Sequence, residues 1–166
     1  MTAKINELRD HYIVCGAGDV GYSVIEYFRE NKIDFVVIEN NEKRGQELID
    51  DNILTVLGDA THEYTLGKAG IDKAKGIVCT LASDTDNVFT VLTARQLSDR
   101  IYIVARAAER SAHSKLIKAG ANKTISPNEI GGKRIAACAV RPSITSFLDV
   151  ITRTGDMILD MEEVII

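Results

Sequence analysis

Residues 13–26 read IVCGAGDVGYSVIE: an apolar run, the loop Gly16-Ala17-Gly18-Asp19-Val20-Gly21, then a segment in which Val20, Val24, Ile25 and Phe28 recur at i, i+4, i+5 and i+8. That order predicts a buried strand, a tight turn and an amphipathic helix folded back on the sheet. In a GxGxxG loop of this kind Gly16 permits the turn, Gly18 lets the backbone approach a phosphate without a Cβ in the way, and Gly21 lets the helix pack closely. Backbone N–H groups at the start of the helix then face the anion. Asp19 is discordant, because an acid in the first turn favours the helix dipole yet lies close to where a pyrophosphate would sit. A turn that holds no ligand is the simpler alternative.

Outward from this loop, β-rich apolar runs occur at 11–15, 34–38, 53–57, 76–81, 101–105 and 123–126. Helical segments separate them. Val88, Val91, Leu92 and Ser98, with Asp84 and Asp86 at the N-terminal end, describe one helix; another spans about 109–119 and stops at Gly120. Strands that alternate with helices and are apolar throughout imply a parallel sheet covered on both faces, an α/β, Rossmann-like doubly wound fold. The expected strand order is 3-2-1-4-5-6, with the ligand crevice at the carboxyl ends of strands 1 and 4. After Pro127 the pattern changes to an alanine-rich helix over 128–140, a break at Pro142, and a second apolar stripe of Ile144, Phe147, Leu148 and Ile151. The domain reading is a linker at 1–10, a nucleotide-binding lobe at 11–127, a helix-turn-helix crossover at 128–153, and at 154–166 the start of a second lobe, cut short.

Composition narrows the classes. The chain has 166 residues, 45% of them hydrophobic and 27% charged, with two prolines and a net charge of -4. That is a folded chain able to bury a core without disulfides, and it lacks the basic stripe that nucleic acid requires. The longest apolar runs, such as FVVI at 35–38, are too short to cross a bilayer, and no signal-like stretch follows Met1. Cys15, Cys79 and Cys138 are widely spaced in apolar runs and read as small buried hydrophobes. His11, His62 and His113 have no metal-ligand spacing.

The glycine loop gains weight from what answers it. Glu39 closes strand 2 eighteen residues after Gly21, where a carboxylate accepts the hydroxyls of an adenine-linked ribose and repels a 2'-phosphate; Lys43 and Arg44 moderate that preference. Asn40 adjoins it. Asp59 and Ala60, after strand 3, suit the adenine edge, and Asp59 is equally suited to capping the helix that begins near Thr61. Thr80, Leu81 and Asp84 flank the loop after strand 4 and are placed on the crevice. Arg106, just past strand 5, stands where a cation reaches a phosphate; a salt bridge to a neighbouring acid is its other reading.

Taken together, IVCGAGDVG (13–21), Glu39, LGDAT (57–61), GIVCTLASDTDN (76–87), IVARA (103–107) and AGANKTISP (119–127) resemble the regulator of K+ conductance domains, also called RCK, KTN or TrkA-N-like domains, of prokaryotic potassium channels and transporters. The resemblance covers nearly the whole chain. It implies a lobe that forms a homodimer or higher ring on the cytoplasmic face of the membrane, beneath a K+ pore or transport subunit. The implied ligand is NAD(H) or an adenine nucleotide (ADP, ATP or AMP), contacting Gly16, Gly18, Gly21, Glu39, Asp59 and Arg106. Residues 1–10 would follow a pore helix; independently of the resemblance, the stripe Ile144, Phe147, Leu148 and Ile151 has no place on a sheet already covered by helices, which predicts a dimer held by the helices of 128–153. The acidic pair that calcium-gated members carry after the fifth strand is replaced by Arg106 and Ala108, which leaves Asp84 as the remaining acid and puts such a Ca2+ site in doubt. The rival expectation is a fragment of an NAD-dependent oxidoreductase. It is disfavoured by the lack of a compact His/Lys/Tyr group at the strand ends.

Overall fold

The structure, a computed structural model, describes residues 1–143. Six parallel strands, β1 (Tyr12–Cys15), β2 (Phe35–Glu39), β3 (Thr55–Leu57), β4 (Gly76–Cys79), β5 (Tyr102–Arg106) and β6 (Lys123–Ile125), pair in the order β3-β2-β1-β4-β5-β6. This is the expected doubly wound, Rossmann-like order. Its reversal falls between β1 and β4, so the loops leaving those strands diverge and open a crevice at their carboxyl ends. The register sets Cys15 between Ile38 and Cys79, which brings the ends of β2, β1 and β4 level beneath that crevice.

Alternating side chains divide the core into two layers. Ile13, Cys15, Val36, Ile38, Ile77, Cys79 and Ile103 face one way and pack with Leu66 of α4 (Glu63–Lys68), Val91 and Ala94 of α5 (Asp84–Leu97) and Leu116 of α6 (Ala112–Ala119). Val14 and Val37 face the other way, with Ile25 of α2 (Asp19–Glu30) and Leu48 of α3 (Glu42–Asp50). The stripe expected on α2 holds for three of its four residues: Ile25 is buried, Val24 and Phe28 pack beside it, and Val20 lines the crevice instead. Coverage is less even than expected, since Val78 and Val104, in line with Val14 across the sheet, are only half-buried.

On α5 the expected stripe fails at Leu92, which is exposed. The buried face carries Asn87, Thr90, Val91, Thr93 and Ala94 instead. The two threonines fit there because their hydroxyls donate to the carbonyls of Asp86 and Phe89 one turn back. Helix α6 starts at Ala112, later than expected, and ends at Gly120, whose φ of 123° is open to glycine. Residues 1–10 are more than a linker: Thr2–Glu7 form α1, whose Ile5 is buried in the larger core layer.

A second unit begins at Asn128, and its described part is essentially α7 (Pro127–Val140), in which no residue is buried. Cys138 is therefore exposed, unlike Cys15 and Cys79, and the expectation that all three are buried fails there. The second crossover helix, with Ile144, Phe147, Leu148 and Ile151, and the segment 154–166 lie outside the described residues. No helix of the described residues is long and apolar enough to cross a membrane.

Candidate functional site

The glycine loop forms one wall of the crevice. Gly16 adopts φ 92°, a left-handed conformation, and a Cβ there would press on Leu81. At Gly21 a Cβ would strike the carbonyl of Gly16 and the hydroxyl of Thr80, so this glycine lets α2 close on the loop and on the end of β4. Gly18 is different. Its φ of -72° is open to any residue, and a Cβ would meet nothing within 4 Å. Neither backbone strain nor packing calls for glycine there, whereas close approach by a ligand does. Gly18 is also the N-cap of α2 and offers no side-chain cap, in contrast to Asn41 on α3 and Ser83 on α5, which accept from Arg44 N–H and Asp86 N–H. The first-turn N–H groups of α2 are left for another acceptor.

Glu39, only 3% exposed, is held from three sides. Its carboxylate accepts from the N–H of Ala17 at 3.1 Å, the N–H of Asn41 at 3.1 Å and Nη1 of Arg44 at 3.0 Å. Burial pushes the carboxyl pKa up, but the Asn41 and Ala17 N–H groups together with the Arg44 guanidinium outweigh it and hold the pKa below the ordinary value. The group is a fixed carboxylate at the carboxyl end of β2.

The opposite wall comes from β4, α5 and β5. The hydroxyl of Thr80 lies 2.9 Å from the carbonyl of Cys15 and 3.0 Å from that of Gly16, tying β4 to the glycine loop. Asn87, fully buried, pairs its amide with both the N–H and the C=O of Leu81 and also donates to the carbonyl of Arg106. Nη1 of Arg106 donates to the carbonyl of Leu81 at 3.1 Å, and its Nε is buried with no partner. Arg106 thus anchors to backbone rather than to an acid and keeps its charge at the crevice. Together these groups enclose about 400 Å3, within the range of small-molecule sites.

Gly16, Gly18, Asp19, Val20, Glu39, Asn40, Thr80, Leu81 and Arg106 all line this space, and Ala17 reaches it through its N–H on Glu39. Four of the expected residues do not: Gly21, packed against Gly16 and Thr80, and Asp59, Ala60 and Asp84. The Asp59 carboxylate accepts from the N–H and hydroxyl of Thr61, at 2.9 and 2.7 Å, and so closes the turn before α4. The same two bonds hold its pKa low. Ala60 is buried in the core. Asp84 turns away to the N–H groups of Ala108 and Glu109, at 2.6 and 3.0 Å, because the loop after β5 presents two unpaired donors that a carboxylate satisfies together. It lines a neighbouring cavity of about 500 Å3 beside Val88 and Lys115.

Sequence reading missed other residues of the lining. By sequence pattern Asp86 is helix-end charge and Arg44 a moderator of charge; in the structure both line the crevice. Asn87 had no role, although an asparagine in the first turn of a helix after a Ser-Asp-Thr-Asp run is a residue type that bonds nearby backbone. Among the described residues, no group of three or more His, Cys, Asp or Glu is arranged to hold a metal ion.

Comparisons with known proteins agree with the fold. The chain is 50% identical over 151 residues to "Probable potassium channel protein 2" of Methanocaldococcus jannaschii, covering 89% of this chain and 44% of that protein. "Potassium channel protein 1" of the same organism is 42% identical over 164 residues, covering 98% of this chain and 48% of that one. The chain thus spans about half the length of these curated relatives. Among solved structures, the GsuK channel bound to NAD superposes with a TM-score of 0.70 at 26% identity over 75% of this chain and 23% of that one. GsuK bound to ADP gives 0.71 at 30% identity, over 81% and 35%. The family model of the TrkA-N domain matches residues 12–127, the span of the six-stranded sheet and its helices, and the chain belongs to the TrkA-N domain family.

Proposed function

We propose that this chain is the nucleotide-binding regulatory domain of a potassium channel or K+ transport system, working on the cytoplasmic face of the membrane. The observation that carries the reading is Gly18, a glycine that neither strain nor packing requires, at the uncapped start of α2 and facing open space. With the fixed carboxylate of Glu39 on one side and Arg106 on the other, the crevice suits a ribose joined to phosphate. The names of the relatives and the NAD and ADP held by GsuK support a K+ channel context and an adenine nucleotide. The mechanism is linkage. The nucleotide shifts the gating equilibrium of an associated pore by binding one assembly state more tightly than the other. A homodimer or larger ring, joined to a membrane pore subunit, supplies those states, and the exposed apolar residues of α7, Ile130, Ile135 and Val140, are where copies would meet.

An oxidoreductase would need a proton donor beside the nicotinamide, and the lining of the crevice contains no histidine, lysine or tyrosine. Binding without turnover is the expected behaviour. The test is to denature the purified protein and identify the small molecules released. An adenine nucleotide in stoichiometric amount supports the reading. A protein that releases none, and takes up none at millimolar concentration, refutes it.

A further inference from the structure

The charged groups of the crevice do not balance in favour of phosphate. Glu39 and Arg44 sit 3.0 Å apart and neutralise one another. That leaves Arg106 as the cation and two further carboxylates, Asp19 and Asp86, on the same lining. Both are exposed, and among the described residues neither side chain is in an ion pair. They stand on opposite walls: Asp19 is the first residue of α2, in the turn whose N–H groups face the phosphate, and Asp86 lies in the first turn of α5. A phosphate at the start of α2 gains the partial positive charge of that helix and the charge of Arg106. It also lies between two carboxylates that favour no anion.

We propose that Asp19 and Asp86 are specificity determinants that select the adenine nucleotide by its charge, admitting NAD+ and penalising each additional phosphate charge. The inference rests on the nucleotide reading above and extends it to the class of ligand. NAD+ brings a diphosphate esterified at both ends and a cationic ring. AMP, ADP and ATP end in a free phosphate and grow more negative in that order. At the separations possible across an open, solvated crevice, each added unit of charge costs roughly two- to fivefold in affinity. Arg106 and the start of α2 address the first phosphates and Glu39 the ribose, so charge added beyond them meets the two carboxylates.

The experiment is calorimetric titration of the intact protein with NAD+, AMP, ADP and ATP at low salt with EDTA present, repeated on Asp19→Asn and Asp86→Asn. Affinity should fall along the series in the parent protein. Each variant should tighten binding of all four ligands, that of ATP most, and so narrow the gap between NAD+ and ATP by roughly two- to fivefold. Thermal melting close to that of the parent establishes that each variant is folded. A parent protein that binds ATP as tightly as NAD+, or variants that leave the gap unchanged, would overturn the selection by charge while the nucleotide site stands. Binding of none of the four ligands to the parent would overturn the nucleotide reading and this inference together.

Discussion

The two walls of the crevice are held together by different means. The wall made by β1, α2 and β2 is built from backbone: a glycine loop, the N–H groups of Ala17 and Asn41, and one carboxylate, Glu39, that collects them. The wall made by β4, α5 and β5 is built from side chains, with Asn87 stitching Leu81 to the strand that carries Arg106. Most contacts of the first wall are settled by turn geometry and short sequence spacing. Those of the second depend on one buried amide meeting two separate strand ends. Damage to the first wall is therefore steric, whereas damage to the second leaves polar groups unpaired.

The largest effect should come from the first wall. Gly21→Val forces a branched side chain into the carbonyl of Gly16 and the hydroxyl of Thr80, and should cost about 3 kcal/mol of stability or more, measured by urea unfolding. Next comes Asn87→Leu, which fills the same space but strands the N–H of Leu81, whose C=O keeps Nη1 of Arg106; a loss of about 1–3 kcal/mol is expected in the same assay. If Asn87→Leu proves neutral while Gly21→Val does not, the second wall is held by something other than this amide.

Glu39→Gln should act mainly through pH. The folded carboxyl has a lowered pKa, so its contribution to stability is present above the unfolded value of about 4.3 and is lost as pH falls below that, through the folded value. The variant should lack this part of the acid limb in a plot of stability against pH; an unchanged limb would mean that Glu39 is not held as a carboxylate.

The smallest perturbation compares the sheet with the second unit. Cys138, exposed on α7, should react with a thiol reagent in the native protein, while Cys15 and Cys79 react only on unfolding. The thiol of Cys79 against Cys15, together with complete burial, pushes the Cys15 pKa well up and so disfavours its reactive thiolate. Mass spectrometry of the labelled chain distinguishes the three.

Much of this architecture was readable in advance because it rests on local pattern. Six apolar runs and the glycine loop led to the observed strand order, and the end of the second strand led to Glu39. What was not readable is the direction a carboxylate takes when two sets of donors compete. Asp84, at the start of α5, and Asp59, after β3, each turn to nearby N–H groups, because a loop with unpaired donors lies within reach. Asp86, two residues beyond Asp84, reaches the crevice instead. Asn87 escaped notice for a related reason, since a polar residue on a helix reads as solvent-facing until the fold brings two strand ends against it. Leu92 shows the converse: an apolar residue at a helical spacing is exposed where threonines bonded to their own helix fill the buried face.

The central claim is that the crevice binds a nucleotide through a glycine loop in which Gly18 is kept open for the ligand. The direct measurement is titration of ADP and NAD+ into the parent protein and into Gly18→Val, with thermal melting of both. The valine meets no atom of the protein within 4 Å at its Cβ, so melting should shift little while binding falls by tenfold or more, about 1.4 kcal/mol. A Gly18→Val protein that binds both ligands as tightly as the parent would contradict the account.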